Sequence, residues 1–313
     1  MNKLSKEDEE VIKYLAKYKI MSIDDTKLIY KTEWYHRTRI KKMIEAGYVK
    51  KYKFYYIELD REGRKHLRLT GKDYIKNKSN DSYMERLKGL SKIATMTINS
   101  DIIINPSWLI KDKEIYTDMA RKYLAELIVG YNKYLIYYIS DKKEKKYIHQ
   151  LVYDISKVLN YEQIMIFIEK FDNVIDELDN LIFGKLHTYL VLNSKVNRDL
   201  IKNFANIEFY ELVKSIYGEN KEILISDWKL ADFIIDKDHY VKNMIFIDTE
   251  FLSEINWFYQ ENTDTKKKLD ILTLDENVEI VRKIVSKNIN IIGVSMEKIR
   301  EEENFEKMEF KFE

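Results

Sequence analysis

The apolar residues of the first 70 positions follow a helical spacing and then a strand-like alternation. Residues 6–18 carry apolar side chains three or four positions apart, which predicts an amphipathic helix with Ser5 as its N-cap. The apolar stripe of this helix consists of Val11, Tyr14, Leu15 and Tyr18. A short second helix is predicted from about residue 22 or 24 to about residue 31, and Thr32 is predicted to cap a third helix over residues 33–46.

The third predicted helix separates its side chains by chemistry. At about 100° per residue, four positions fall within an arc of roughly 60° and are predicted to face the core. These positions are His36, Ile40, Met43 and Gly47. The opposite face collects basic, hydroxyl and aromatic side chains, namely Trp34, Tyr35, Arg37, Thr38, Lys41 and Lys42. Such side chains can contact phosphates and base edges together, although a simple solvated amphipathic helix would also present a charged face.

A glycine, a two-stranded ribbon and another helix are predicted after the basic helix. Gly47 is predicted to end the third helix in a left-handed conformation. Tyr48–Val49 and Tyr55–Leu59 predict two antiparallel strands, and the lysines predicted at the turn between them are Lys50, Lys51 and Lys53. Asp60 is predicted to cap the closing helix. This order is that of the last helix and wing of a winged helix-turn-helix, in which wing lysines lie beside the phosphate backbone of DNA.

The charge distribution is asymmetric along the 313 residues, although the formal net charge is only +1. Residues 1–92 hold 24 of the 54 basic and 14 of the 53 acidic residues, a balance of +10. The remaining residues therefore hold 30 basic and 39 acidic residues, a balance of −9. A basic segment joined to an acidic one is typical of a protein whose one end binds phosphate, with chance variation of surface charge as the alternative.

Three stretches of the chain resemble one known family. The run RIKKMIEAGYVKKYKFYYIELDREGRKHL resembles the winged helices of plasmid and mobile-element proteins grouped as the replication-relaxation family. KYLAELIVGYNKYLIYYIS is similar to the helix and strand that begin the family's second domain, and ISDWKLADFIID with MIFIDTEF is similar to its paired acidic strands. The resemblance implies a winged helix followed by a larger α/β domain, and a role in plasmid replication or in DNA relaxation and mobilisation.

Beyond residue 92, strand and helix patterns alternate, which favours an α/β domain with a mixed or mostly parallel sheet over residues 93–313. The predicted strands are Tyr134–Ile139, Ile164–Glu169, Tyr189–Leu192, Phe233–Ile235, Met244–Ile247 and Ile289–Val294. Helical spacing occurs in Ile148–Leu159 and Arg198–Tyr217. Residues 76–92, which include Asn77, Ser79 and Asn80, are predicted to be a linker after a DNA-binding domain over residues 1–75. The chain is therefore predicted to be α+β overall. The charged tail after Ile299 predicts a solvated helix or edge strand.

Asp232, Asp248 and Glu250 lie at or near the ends of predicted strands and are the candidate acids for metal chemistry. Restriction-type nucleases bind a divalent cation through such acids and place a lysine two residues after the second one. The corresponding positions here are Glu250 and Leu252, so the lysine is missing. We therefore expect a domain that resembles these nucleases without their reaction, with no catalytic residue, no metal and no cofactor. No P-loop or Gly-x-Gly-x-x-Gly motif is present, and the absence of cysteine excludes cysteine-ligated zinc.

The sequence thus predicts a sequence-specific protein that binds double-stranded DNA in replication initiation or transfer of a plasmid or mobile element. The predicted DNA-binding residues are Trp34, Tyr35, Arg37, Thr38, Lys41, Lys42, Lys50, Lys51 and Lys53. The polar N-terminus and the lack of an apolar run of about 20 residues predict a cytoplasmic protein without membrane contact. Further expected partners are a second copy of the chain and replication or transfer proteins. Two alternatives stay open: a transcription regulator whose second domain senses a ligand or dimerises, and a metal-dependent nuclease.

Overall fold

A computed structural model describes residues 4–70, 80–110, 123–141, 145–158, 161–174, 187–203, 208–237, 239–262 and 265–300. The chain divides into two compact units, each with its own helices and strands, so the protein is mixed α/β. Unit 1 comprises Met1–Lys111 and Tyr123–Asn132, and unit 2 comprises Asp112–Lys122 and Lys133–Glu313. Unit 1 therefore extends well past the boundary predicted at residue 75, and the larger unit begins later than residue 93.

Unit 1 begins with a helix, a strand and two further helices, followed by a hairpin and a short helix. In chain order these are α1 (Lys6–Tyr18), β1 (Ile20–Ser22), α2 (Lys27–Tyr30), α3 (Tyr35–Glu45), β2 (Val49–Tyr52), β3 (Tyr56–Leu59) and α4 (Arg61–His66), with a 3-10 turn over Asp24–Thr26 before α2. The strands form an antiparallel sheet in the order β1-β3-β2. Helix α1 begins as predicted, because the Ser5 hydroxyl accepts a hydrogen bond from the Asp8 amide at 3.3 Å and the Asp8 carboxylate accepts one from the Ser5 amide at 2.8 Å.

The ends of the later helices differ in detail from the prediction. Helix α3 begins at Tyr35, and its N-cap is Trp34 without a side-chain hydrogen bond, so the assignment of Thr32 as the cap is wrong. The Thr32 carbonyl lies 3.1 Å from Nδ1 of His36 instead. Gly47 ends the helix with φ of +72°, as predicted, and its amide donates to the Ile44 carbonyl at 3.0 Å. Asp60 occupies the N-cap position of α4 but makes no side-chain cap hydrogen bond there.

The segment predicted as a linker is largely a buried helix, α5 (Asp81–Ala94). Asn80 caps it by accepting a hydrogen bond from the Tyr83 amide at 2.7 Å, so the asparagine that suggested a linker begins a helix. The apolar side chains that α5 buries are Met84, Leu87, Leu90 and Ile93. The linker prediction is therefore wrong for residues 81–92, while residues 76–79 lie outside the described residues. Unit 1 is completed by an antiparallel pair, β4 (Ile103–Pro106) and β5 (Ala125–Val129).

Unit 2 contains two sheets rather than the single sheet predicted. In chain order its elements are β6 (Asn132–Ile139), α6 (Lys145–Ile155), β7 (Gln163–Ile168), β8 (His187–Leu192), α7 (Lys195–Asn203), α8 (Phe209–Tyr217), β9 (Ile223–Ile225), β10 (Phe233–Ile235), β11 (His239–Asn243), β12 (Ile247–Asp248), α9 (Thr249–Glu261), β13 (Lys268–Leu274), α10 (Val278–Ile284) and β14 (Asn290–Val294). The first residue of β6, Asn132, belongs to unit 1. Strands β6, β7 and β8 are parallel neighbours, and β12 pairs antiparallel with β8. The second sheet has the order β14-β13-β11-β10-β9, with β11, β13 and β14 parallel and the last two pairings antiparallel. Both sheets are thus mixed.

Two predictions in unit 2 need correction. The helical spacing over Arg198–Tyr217 belongs to two helices, α7 and α8, and residues 204–207 between them lie outside the described residues. The run Met244–Ile247 is not the partner of Phe233–Ile235, because β10 pairs with β11 and Ile247 begins β12 in the other sheet. Residues 244–246 connect the end of β11 to the start of β12, and all three are apolar and buried. An apolar run of this length predicts burial but does not distinguish a strand from a connecting segment. The predicted tail after Ile299 falls on residues 301–313, outside the described residues.

A buried ion pair joins the first three helices of unit 1. Asp8 on α1 is fully buried, and its Oδ1 accepts hydrogen bonds from the Tyr30 hydroxyl of α2 at 2.7 Å and from Nε of Arg39 on α3 at 2.8 Å. Nη2 of Arg39 bonds to the other carboxylate oxygen, and only 13% of the Arg39 side chain is exposed. Burial by itself raises the pKa of Asp8, but the hydrogen bonds from Arg39, Tyr30 and the Ser5 amide outweigh it, so the pKa lies below its ordinary value.

We expect Asp8→Asn to lower the free energy of unfolding by about 3–5 kcal/mol near pH 7, because Arg39 would stay buried without its counter-ion. A lowered folded-state pKa stabilises the fold above the ordinary carboxyl pKa of about 3.9, and this contribution is lost as the pH falls through the folded-state value. Denaturant unfolding of both proteins from about pH 7 to about pH 3 should therefore show the difference shrinking towards acid. A difference that stays constant over this range would contradict the role given to Asp8.

Candidate nucleic-acid interface

Helix α3 buries one face and exposes the other. The side chains that it buries are His36, Ile40 and Met43, whereas Gly47 just beyond its end is half-buried. The residues predicted to bind DNA from this helix, Trp34, Tyr35, Arg37, Thr38, Lys41 and Lys42, are all exposed. Trp34 is 80% and Tyr35 is 55% exposed, which is unusual for large aromatic side chains that serve only to stabilise a fold. The helical spacing thus predicted the exposure of this face, and its contact with DNA stays a prediction.

The cations on the exposed face of α3 differ in whether they are neutralised. Nη2 of Arg37 lies 2.8 Å from Oδ1 of Asp24, and both side chains are mostly exposed. The side chains of Lys41 and Lys42 make no ion pair or hydrogen bond with any residue that the structure describes. An exposed ion pair is weak, so Arg37 can exchange Asp24 for a phosphate, while the two lysines carry charge that is already available.

The hairpin after α3 places its lysines differently from the prediction. Lys50 and Lys51 lie in β2, opposite Glu58 and Ile57, and only Lys53 lies in the turn. The assignment of all three lysines to the turn is therefore wrong, because the strand continues to Tyr52. Nζ of Lys50 lies 3.0 Å from Oε1 of Glu58, which neutralises it. The side chains of Lys51 and Lys53 are exposed and have no ion-pair or hydrogen-bond partner among the described residues.

The turn of this hairpin also exposes two aromatic side chains that the sequence analysis did not single out. Phe54 is 89% exposed and Tyr55 is 75% exposed. The sequence signal was present, since a hairpin turn without glycine, asparagine or aspartate is unusual and two adjacent aromatic residues are not typical turn residues. Exposed aromatic side chains next to unpaired lysines extend the candidate interface from α3 to the hairpin.

The candidate acids of unit 2 are only partly brought together. Asp232 and Asp248 line one cleft of about 340 Å³. Glu250 is not among the residues that line this cleft, and its Oε2 lies 3.1 Å from Nδ1 of His187. Asp232 Oδ1 lies 2.9 Å from Nζ of Lys242, and its Oδ2 accepts a hydrogen bond from the Asn243 amide at 2.7 Å. Within the described ranges there is no group of three or more histidine or acidic side chains arranged to hold a metal.

The same cleft contains a lysine that spacing along the chain did not reveal. Lys242 lies on β11, ten positions after Asp232, and it borders the cleft together with both aspartates. Asp248 is the N-cap of α9, and its Oδ1 accepts hydrogen bonds from the amides of Glu250 at 3.0 Å and Phe251 at 3.2 Å. The apolar part of the lining comprises Tyr189, Phe209, Phe233, Ile245 and Phe246. Burial, and then the charge of Asp248, raises the pKa of Tyr189, so its hydroxyl stays protonated in this cleft.

We expect the neighbouring arginines of α3 to differ in their effect on stability. Arg39→Ala leaves the Asp8 carboxylate buried without its counter-ion and should lower the free energy of unfolding by about 3–5 kcal/mol. Arg37→Ala removes only an exposed pair and should change it by about 0–1 kcal/mol. Denaturant unfolding of the two variants measures the difference directly. Equal destabilisation by both substitutions would show that Arg39 does not stabilise the fold more than Arg37 does.

Comparison with known proteins assigns no function to these surfaces, so their function is inferred from the residues that form them. No protein-family model matches the chain, and neither the curated proteins nor the solved structures give a match. Among the described residues, no helix combines the length and the apolar character that crossing a membrane requires.

Proposed function

We propose that unit 1 contains a winged helix-turn-helix that binds double-stranded DNA in a sequence-specific manner, with α3 in the major groove and the β2–β3 hairpin as the wing. The chain order α1-β1-α2-α3-β2-β3 and the sheet order β1-β3-β2 support this arrangement. The observation that carries the proposal is the composition of the exposed face of α3, which combines lysines without an acidic partner among the described residues with exposed aromatic and hydroxyl side chains.

The exposed side chains of α3 and the hairpin fit the two kinds of contact that DNA recognition needs. Phosphate contacts need cations that are not already neutralised, and Lys41, Lys42, Lys51 and Lys53 have no acidic partner among the described residues. Thr38 and Trp34 lie on the same helix face and present hydroxyl, methyl and indole N–H groups to base edges. Phosphate contacts would supply most of the affinity, and the base-edge contacts the specificity.

The biological role that we propose is replication initiation or transfer of a plasmid or similar mobile element, in the cytoplasm. This part rests on the resemblance of residues 39–67 to the replication-relaxation family. Unit 2 would then associate with a second copy or with replication or transfer proteins. A transcription regulator that senses a ligand is the alternative, and the partly apolar cleft beside Asp232 and Asp248 is where such a ligand would bind.

We expect DNA binding to weaken steeply with salt, and Lys41→Ala and Lys42→Ala each to lower the slope of log affinity against log salt concentration by about one. The reason is that each lysine removed leaves one counterion fewer to be released. Fluorescence anisotropy with a mixed-sequence 30-base-pair duplex, titrated at several salt concentrations, measures the slope. The matched control is Lys13→Ala, which removes an exposed lysine from α1 and should leave the slope unchanged.

Two results would count against this placement of the DNA. One is a salt dependence that is flat in the wild-type protein, and the other is a slope that falls as much in Lys13→Ala as in the α3 variants. Selection from a randomised duplex library separates specificity from affinity. Thr38→Val, which keeps the shape of the side chain and removes the hydroxyl, should change the preferred sequence, whereas the lysine variants should keep it.

A metal-dependent nuclease is the second candidate, because Asp232, Asp248 and Lys242 line one cleft. Two carboxylates and a lysine are the side-chain types that such enzymes use to hold a cation and to polarise water. The arrangement argues against activity as it stands, since Asp232 is engaged by both Lys242 and the Asn243 amide. We therefore keep the non-enzymatic function as the first proposal.

We expect purified protein with magnesium or manganese to leave supercoiled plasmid intact over hours, because Asp232 is neutralised within the protein. Agarose electrophoresis of the plasmid measures nicking. Asp236→Ala serves as a control, since Asp236 is an exposed aspartate of the same sheet region that pairs with Lys221 outside the cleft. Nicking that persists in Asp236→Ala but disappears in both Asp232→Ala and Lys242→Ala would replace the non-enzymatic function with the nuclease.

A further inference from the structure

We infer that the hairpin tip, residues 53–55, is a wedge that inserts the Phe54 side chain into a base-pair step of the bound duplex and kinks it. The inference rests on the proposed function of unit 1 as a DNA-binding module and goes beyond it, because binding alone requires no distortion of the DNA. Insertion of apolar side chains between base pairs is a known way to bend DNA, and it needs a protruding apolar group flanked by cations.

The first observation is the exposure of the tip. Phe54 is 89% and Tyr55 is 75% exposed, and neither ring contacts an aromatic ring or a cation among the described residues. The next aromatic side chain, Tyr56, lies in β3 and is half-buried, so exposure is confined to the turn. Two adjacent exposed aromatic residues at the most protruding point of a hairpin form an apolar apex that the fold itself does not use.

The second observation is that the turn has a sequence its own backbone does not favour. Lys53 has φ of +56°, in the left-handed region where glycine, asparagine and aspartate are preferred. A turn built for stability would place one of those residues there and polar residues beside it. The residues 53–55 are instead a lysine and two aromatic residues, whose common property is that they bind nucleic acid well.

The third observation is the charge around the apex. Lys51 and Lys53 have no acidic partner among the described residues, and the nearest acidic residue along the chain, Glu58, is paired with Lys50 at 3.0 Å. An apolar apex bordered by unpaired cations suits a groove whose edges are phosphates and whose floor is stacked bases. A protein partner for this apex would need an apolar pocket surrounded by acidic groups. The lysines by themselves do not indicate the shape of such a pocket.

The fourth observation is that the tip is held firmly enough to act as a wedge. Strand β3 is the central strand of the sheet, and its Ile57 and Leu59 are buried. The Tyr55 carbonyl accepts a hydrogen bond from the Ile23 amide at 2.9 Å, which ties the tip to the segment after β1. An apex that is anchored on both sides can keep its side chain in an unstacked step instead of folding back on the protein.

The test uses the full chain and two 30-base-pair duplexes of equal composition, one with a central TpA step and one with a central A-tract. TpA steps unstack easily and A-tracts are stiff, so the wedge should distort the first far more than the second. We expect the wild-type protein to raise the fluorescence of a 2-aminopurine placed at the central TpA step by about twofold or more, and to shorten the end-to-end distance measured by energy transfer, as a kink of about 20–90° would.

Phe54→Ala should abolish both signals on the TpA duplex while keeping the salt slope of binding. Tyr131→Ala is the matched control, since Tyr131 is a fully exposed aromatic residue at another turn of unit 1, and it should behave as wild type. Circular dichroism checks that both variants are folded. Failure of the wild-type protein to bind either duplex would refute the DNA-binding function itself. Binding without a fluorescence or distance change, or a kink that persists in Phe54→Ala, would refute the wedge alone.

Discussion

The ion pair between Asp8 and Arg39 is the interaction on which the candidate interface depends. It joins α1 to α3, and the Tyr30 hydroxyl of α2 bonds to the same carboxylate at 2.7 Å. A charge buried this completely is tolerated only when nearly all its hydrogen-bonding positions are filled, so the three helices have little freedom to shift. The orientation of α3 and the direction in which its lysines and Trp34 point follow from this constraint.

Unit 2 satisfies the carboxylate of Asp270, one of its buried acidic residues, in the same way. Asp270 on β13 is buried and bonds to the Tyr217 hydroxyl, to Nδ2 of Asn290 at 3.1 Å and to Nε2 of His239 at 2.9 Å. Burial, and then the hydrogen bond and charge of Asp270, raises the pKa of Tyr217, so the tyrosine stays a donor. Among the described residues, the half-exposed Asp232 has two donors, Nζ of Lys242 and the Asn243 amide.

The local spacing of apolar residues predicted the faces of helices and the positions of several strands. The buried and exposed faces of α3 followed from about 100° per residue, and Tyr134–Ile139 and Phe233–Ile235 were recognised as strands from apolar runs. The errors arose where one local signal has two explanations. The asparagine at position 80 suggested a linker and is a helix cap, and the apolar residues 244–246 suggested a strand and are a buried crossing between sheets.

The sequence by itself determined the alternation of helices and strands, the basic N-terminal third and the side chains that α3 exposes, because each is a property of neighbouring residues. Only the tertiary structure decided that Arg39 is buried against Asp8 while Arg37 stays exposed, and that Lys242 lies beside Asp232 in a cleft shared with Asp248. These contacts join residues 10 to 31 positions apart along the chain. No periodicity relates such residues, since their approach is set by how whole helices and strands pack.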